Sequence, residues 1–489
     1  MLAQAKQWAA QGRRVVACRL LEGERPDWRI REEGGVTHVH AGGARDRFLK
    51  EWRDAVDVLY VGEASDTLVR LADRETHVVA AAGDVPRRYG TRPVKAPVVR
   101  RAAVIGGGLA GALVSHYLQR LGVSVDLYDA APTPGAGASA LYAGLFHPHW
   151  QASDNPLFRL TRAGFDEMLA LKERFAERFA CDGVIDAAPD DTTWQAWRQA
   201  ASQGRPFAMS PAYAQLLTAK EGSARCGLSL KRGAWWYPKA GTVCVSGLVR
   251  DLIEDSRARV FANTRVRLQR AGEVWRVIGP AAAADYEAVV VAAGPISASL
   301  AGLPDALMRL DVLYGRISLP IDRGFEGLKC AVTGSGYLVR RDGFLGLGAT
   351  YEPKGPNMTA EAAHAHNAAL FRKIATLPPD YLPAGFYEGA RAVSGDRLPI
   401  AGPGLSAEAY AGLSFRGAPE IDKLPVAPGL WFCTGFGSRG ISWGAWAARL
   451  TASQVAGEPL LAPASLVRAV SPLRFAERAF RATRGAVLF

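Results

Sequence analysis

The sequence predicts an α/β (α+β) fold built on a parallel, doubly wound sheet, and three observations carry the prediction. An apolar strand at 102–105 runs into a glycine cluster, then a helix, then a second apolar strand ending at 128. Residues 288–293 (AVVVAA) and 429–434 (GLWFCT) have the texture of buried parallel strands. The first runs directly into Gly294 and the second into Gly435. A strand, helix and strand in this order form the opening unit of a doubly wound sheet.

In chain order, residues 1–95 read as a small α/β unit of their own. Strands are expected at 14–19, 56–61 and 77–82, with a helix at 46–56. The Pro- and Arg-rich stretch 84–97 reads as a linker. The strand at 102–105 is followed by a helix over 109–121 and a strand over 123–128, where Val123, Val125 and Leu127 alternate. A helix is expected over 160–180. The tail, 466–484, reads as one amphipathic helix bearing Arg468, Arg474, Arg478, Arg481 and Arg484.

The totals set the class. The 489 residues, 49% hydrophobic and 22% charged, suit a soluble globular protein of two or three domains. No apolar run has the length a membrane helix needs, so no membrane partner is expected. Residues 1–21 interrupt short apolar pieces with Lys6, Arg13, Arg14 and Arg19. That is not a secretory signal, and a cytoplasmic location is expected. The 6 cysteines are scattered without CxxC spacing, which suggests neither a zinc site nor a disulfide framework. The net charge of +12 has two readings, a polyanionic partner such as RNA or Arg used generically for solubility.

Gly106, Gly108 and Gly111 form G-x-G-x-x-G between the first strand and its helix. Gly106 permits the tight turn, Gly108 lets backbone approach a pyrophosphate, and Gly111 lets the helix pack against the sheet. The helix N-terminus offers free N–H groups and the positive end of its dipole to phosphate. Asp129 closes the second strand, at the spacing expected of an acid that bonds a ribose hydroxyl. This is a Rossmann-type dinucleotide site. The motif does not by itself separate FAD from NAD. The segment 288–294 resembles the second nucleotide-side strand of two-domain flavoproteins, which favours FAD; as an ordinary buried strand it would favour neither.

Several stretches resemble the glycine oxidase and D-amino-acid oxidase superfamily, and within it the FAD-dependent oxidoreductase half of MnmC, the bifunctional enzyme of 5-methylaminomethyl-2-thiouridine biosynthesis in tRNA. The resemblance runs from about Ala102 to the C-terminus. It is carried by Gly137-Ala138-Ser139 with Gly144-Leu145-Phe146-His147-Pro148, and by Tyr237-Pro238-Lys239-Ala240-Gly241. Further along, Gly336-Tyr337-Leu338, Gly348-Ala349-Thr350-Tyr351, Gly389-Ala390-Arg391 with Asp396-Arg397-Leu398-Pro399, and Gly437-Ser438-Arg439-Gly440 continue it. Two stretches depart. Leu141-Tyr142-Ala143 stand where MnmC proteins usually have Asn-Arg-Gln, and Gly241-Thr242-Val243-Cys244-Val245 where Gly-Trp-x-x-Pro is usual.

The resemblance implies four parts: a small N-terminal α/β unit (1–95) of unassigned role, a discontinuous Rossmann-type FAD-binding domain (98–165, 240–300 and 385–455), an inserted, mostly antiparallel β substrate domain (166–239 and 301–384), and a basic C-terminal tail (456–489). Residues 1–95 are too few for the methyltransferase domain that begins a complete MnmC, and no glycine-rich SAM loop is evident. A remnant of that domain is one reading of them, and no methyl transfer is expected. The resemblance also implies the cofactor FAD, with Ser139, Gly294, Gly437, Ser438 and Gly440 beside it.

The implied reaction removes the carboxymethyl group from 5-carboxymethylaminomethyluridine at the tRNA wobble position, giving 5-aminomethyluridine and glyoxylate, with molecular oxygen as electron acceptor. Arg391 is the expected anchor, because a guanidinium forks onto a carboxylate through two parallel bonds. Its other reading is an Arg paired to a structural carboxylate such as Asp396. Arg439 reads either as a flavin or substrate contact or as a surface residue. Tyr337 and Tyr351 read either as the substrate face or as core aromatics. His147 and His149 have no Cys or carboxylate at ligand spacing, so loop packing and no metal are expected. For RNA, the tail arginines with Arg87, Arg88, Arg92 and Lys95 are the basic clusters; solvated faces are the alternative. Two other functions stay open: a free amino-acid oxidase acting on glycine, sarcosine or D-amino acids, and a weakened FAD-binding, RNA-binding protein.

Overall fold

The structure is a computed structural model. It describes residues 99–151, 153, 155–204, 211–412, 421–457, 462 and 464–483, and six strands within 1–98. The chain divides into two compact units, Met1–Val99 with Ala452–Ala469, and Arg100–Thr451 with Val470–Phe489.

In the first unit the strands lie in the order Trp28–Glu33, Val36–Gly42, Val15–Leu21, Val56–Val61, Ala72–Ala80, Gly83–Asp84. The four central ones are parallel and the two outer pairings antiparallel. The three expected strands fall within this sheet. The hairpin Trp28–Gly42 was not expected; its strands carry many Arg, Glu and His and present no apolar run. The helix expected at 46–56 and the linker at 84–97 lie outside the described residues, apart from one terminal residue of each.

The second unit holds the doubly wound sheet. Its strands run Arg259–Phe261, Ser124–Tyr128, Arg101–Ile105, Ala288–Val291, Val426–Thr434, Ile400–Leu405. All pairs are parallel except the last. Every residue of Ala288–Val291 is buried, as a strand covered on both faces requires. The helix Leu109–Arg120 follows the first strand and packs Leu113, Val114 and Leu118 inward.

A nine-stranded sheet forms the other half of this unit. Its order is Gln215–Leu217, Ala234–Tyr237, Val184–Ala187, Ala331–Thr333, Tyr337–Arg341, Phe344–Gly348, Leu310–Pro320, Glu352–Pro353, with Pro383–Ser394 paired along Leu310–Pro320. One face is core: Ile185, Ala187, Ala234, Trp236, Val332, Leu338 and Leu347 pack on Phe371 and Ile374, at and just beyond the end of the helix Ala360–Arg372.

Two helices differ from expectation. The one expected at 160–180 is Pro156–Arg174, because Asn155 accepts the Phe158 N–H and Pro156 opens the first turn. The tail forms two helices, Ala464–Val470 and Leu473–Thr483, divided at Ser471-Pro472, since a proline lacks the N–H that a continuous helix needs.

Candidate active site

A cavity of about 760 Å³ lies between the glycine-bearing ends of the parallel strands and the second face of the nine-stranded sheet. On the parallel side, three glycines have separable reasons. A Cβ on Gly111 would stand 1.8 Å from the Gly106 carbonyl oxygen, and one on Gly106, at φ +110°, 2.4 Å from that of Ala292. The fold itself demands both. A Cβ on Gly108 would meet only the Ser139 hydroxyl, at 3.1 Å, so this position keeps the cavity open. The Ser139 hydroxyl accepts the Leu109 N–H at the helix start (2.9 Å). The Asp129 carboxylate accepts the N–H groups of Gly107 (2.5 Å) and Ala131 (2.6 Å), which fixes it at the cavity wall.

The opposite wall follows from strand alternation. Tyr387, Gly389 and Arg391 occupy alternate positions of Pro383–Ser394 and all face the cavity. Directly opposed residues share a face, so a row crosses the sheet through Thr333, Tyr337, Gly348, Ile317 and Tyr387. All five line the cavity. Gly348 leaves room for the Tyr337 ring, and Gly315 for Arg391, whose Nη2 would lie 1.5 Å from a Cβ there.

Arg391 is half-buried. Its Nη2 donates to the Thr350 carbonyl (3.1 Å), and its guanidinium sits 4.9 Å from the centroid of the Tyr351 ring. Among the described residues it has no ion-pair partner. Asp396, the expected structural alternative, is taken: Arg474 forks onto it at 2.8 and 3.0 Å and Arg478 binds it at 2.6 Å. Arg474 is buried, so neither reading of the tail arginines, RNA contact or solvated face, holds for this residue.

Thr350 and Tyr351 are held from behind. Arg316 and Glu352 form a buried, two-pronged pair (3.0 and 2.8 Å); Glu352 also accepts the Thr350 hydroxyl and the N–H groups of Asn357 and Met358. Arg316 holds the Glu352 carboxyl down to about 2.

At the far wall, Arg439 lies at the cavity with its Nε buried and without a hydrogen-bond partner among the described residues. Burial lowers its pKa. The Nδ1–H of His147 donates to the Pro148 carbonyl at 2.8 Å, and burial pushes its imidazole down to about 4. His149, at a ring distance of 4.5 Å, is pushed well below its ordinary value by burial and by His147. Both are neutral at pH 7. Burial raises the Tyr337 phenol and pushes Tyr387 up to about 12, so both stay protonated.

Residues 101–454 match the family described as FAD dependent oxidoreductase. The chain belongs to the FAD-dependent oxidoreductase family. It is 37% identical over 414 residues to the tRNA 5-methylaminomethyl-2-thiouridine biosynthesis bifunctional protein MnmC of Burkholderia lata, covering 80% of this chain and 62% of that protein. The MnmC of Burkholderia orbicola is 35% identical, with 87% and 68% covered. The chain thus spans about two thirds of the length of these relatives. Glycine oxidase from Bacillus cereus shares the fold, with a TM-score of 0.60, 20% identity, and 73% of this chain and 95% of that one covered.

With the family in place, the positions of the expected residues are informative. Gly106, Gly108, Asp129, Ser139, Gly294, Tyr337, Tyr351, Arg391, Gly437, Ser438, Arg439 and Gly440 all line the one cavity; Gly111 lies behind it. Tyr351 is 50% exposed, so it is no core aromatic. Sequence reading missed Tyr387, whose hydroxyl donates to the Gly137 carbonyl (2.9 Å), and Gly315. Tyr387 stands two alternations before Arg391, a period-2 signal open to anyone who reads that segment as a strand. Of the departed stretches, Leu141, Ala143 and Val245 line the wall and make it apolar there. No helix among the described residues is long and apolar enough to cross a membrane.

Proposed function

We propose that this chain oxidises an N-substituted glycine, the side chain of 5-carboxymethylaminomethyluridine at the tRNA wobble position, releasing glyoxylate and leaving 5-aminomethyluridine. The observation that carries the reading is Arg391: a guanidinium at the cavity, seated by Gly315, Thr350 and Tyr351, with no protein carboxylate to pair with among the described residues. The names of the MnmC relatives supply the tRNA substrate class.

FAD, when bound, supplies a two-electron acceptor for hydride. Gly106, Gly108 and the first turn of Leu109–Arg120 would hold its pyrophosphate, and Asp129 a ribose hydroxyl. Ser139, Gly294, Gly437, Ser438 and Gly440, which line the cavity, would flank it. Arg391 forks onto the substrate carboxylate and fixes the neighbouring CH₂. A C–H bond of that CH₂ breaks with loss of hydride, the nitrogen lone pair forms an imine, and water cleaves it to glyoxylate and the primary amine. The two electrons pass finally to molecular oxygen. Tyr337, a neutral phenol, and Arg439, a cation, line the same cavity and would face the bound substrate. Nucleoside analysis of tRNA from a deletion strain tests the proposal: the carboxymethylaminomethyl nucleoside should accumulate, and an unchanged profile would refute it.

A further inference from the structure

Two large apolar residues that line the cavity are half exposed or more, Ile296 at 54% and Tyr351 at 50%. A side chain that lines a cavity and also meets solvent stands at the cavity's mouth. Ile296 shares a turn with Gly294, on the wall proposed to flank FAD. Tyr351 stands instead beside the proposed carboxylate anchor, with the Arg391 guanidinium 4.9 Å from its ring centroid. Of the two, only Tyr351 offers an aromatic surface.

The Tyr351 backbone is fixed on both sides. Thr350 and Glu352 are buried, so the segment alternates in, out and in. The Thr350 N–H donates to the Arg316 carbonyl (3.0 Å), and its hydroxyl accepts the Arg316 N–H (2.9 Å). Glu352 lies opposite Tyr314 in an antiparallel pairing. These bonds hold the backbone and the Arg391 contact holds the ring. An aromatic surface set in advance costs little further ordering when a ligand packs on it. The proposed substrate brings such a ligand. A tRNA cannot enter a cavity of about 760 Å³ that also takes FAD, so its wobble base has to lie at the mouth. Four bonds join the carboxyl carbon of the side chain to C5 of the uracil, about 5 Å when extended. A carboxylate on Arg391 therefore tethers the base within reach of the adjoining Tyr351 ring. Bases splayed out of RNA loops stack on such rings.

We infer that Tyr351 is the base platform of this site: its ring stacks on the uracil of the substrate whose carboxylate Arg391 binds. The inference rests on the proposed function. It makes Tyr351 the residue that favours a modified nucleoside over a free amino acid.

The test uses the FAD-loaded protein and two substrates, tRNA carrying 5-carboxymethylaminomethyluridine and N-ethylglycine, which has the same N-substituted glycine but no base. Glyoxylate release gives kcat and KM for each. Tyr351→Ala should raise KM for both, since Arg391 loses its ring contact, but by roughly 5- to 150-fold more for the tRNA, the worth of one base–aromatic stack. Tyr351→Phe keeps the ring and should show the wild-type ratio of the two KM values. Binding of the product tRNA, read by filter retention, should weaken in Tyr351→Ala and not in Tyr351→Phe. Equal losses for the two substrates, or product binding undiminished in Tyr351→Ala, would overturn the base platform and leave the proposed reaction standing. Failure of the wild type to oxidise the tRNA would overturn the proposed reaction and this inference with it.

Discussion

At the scale of single residues, the site turns on the geometry of one guanidinium. Arg391→Lys keeps the charge but loses the planar fork. We expect kcat/KM for a carboxylate-bearing amine to fall by roughly 10- to 150-fold, about 1.5–3 kcal/mol, with flavin content unchanged. Steady-state glyoxylate release checks it, and an unaltered rate would place the carboxylate elsewhere. The glycines give a paired prediction. Gly111→Ala drives a methyl group onto the Gly106 carbonyl and should unfold the first strand–helix turn; Gly108→Ala meets only a serine hydroxyl and should fold with weakened FAD retention. Thermal melts with flavin absorbance separate the two, and equal melting temperatures would contradict the account. That Gly106, Gly108 and Asp129 would lie at one cavity was legible from residue type and spacing, and that Arg391 would join them from the resemblance. Gly315 and Tyr387 were not, because their importance lies in what stands across the sheet from them.

At the scale of elements, the segment from Thr350 to Met358, whose strand is only the two residues Glu352–Pro353, is kept in place chiefly by the Arg316–Glu352 pair. Glu352 has a folded pKa of about 2, against ~4.3 for an unfolded glutamate, so its stabilisation is complete above ~4.3 and is lost as pH falls toward 2. Glu352→Gln breaks a buried pair and should cost about 3–5 kcal/mol at neutral pH, with the gap to wild type narrowing below ~4.3. Urea midpoints at pH 7 and pH 3 measure this; a gap that did not narrow would assign the cost to packing. The opening strand, helix and strand were legible to within two residues, because strict alternation and a glycine turn mark their ends. The tail was less so. Its arginines read as RNA contacts or as a solvated face, and only the fold shows Asp396 drawing Arg474 inward.

At the scale of the whole molecule, the net charge of +12 bears on a polyanionic substrate. KM for tRNA should rise steeply between about 50 and 200 mM salt, whereas KM for a small N-substituted glycine should barely change. Parallel behaviour would argue against phosphate contacts. The doubly wound sheet was predictable because its buried strands are mostly apolar; the nine-stranded sheet was expected only through the resemblance, as an inserted, mostly antiparallel β domain, because its pairings join segments far apart in the chain. The account as a whole is tested most directly by incubating FAD-loaded protein with tRNA bearing 5-carboxymethylaminomethyluridine and digesting the product for mass spectrometry. It predicts 5-aminomethyluridine in place of the starting nucleoside, with glyoxylate released in equal amount. An unaltered nucleoside in the presence of bound flavin would contradict it.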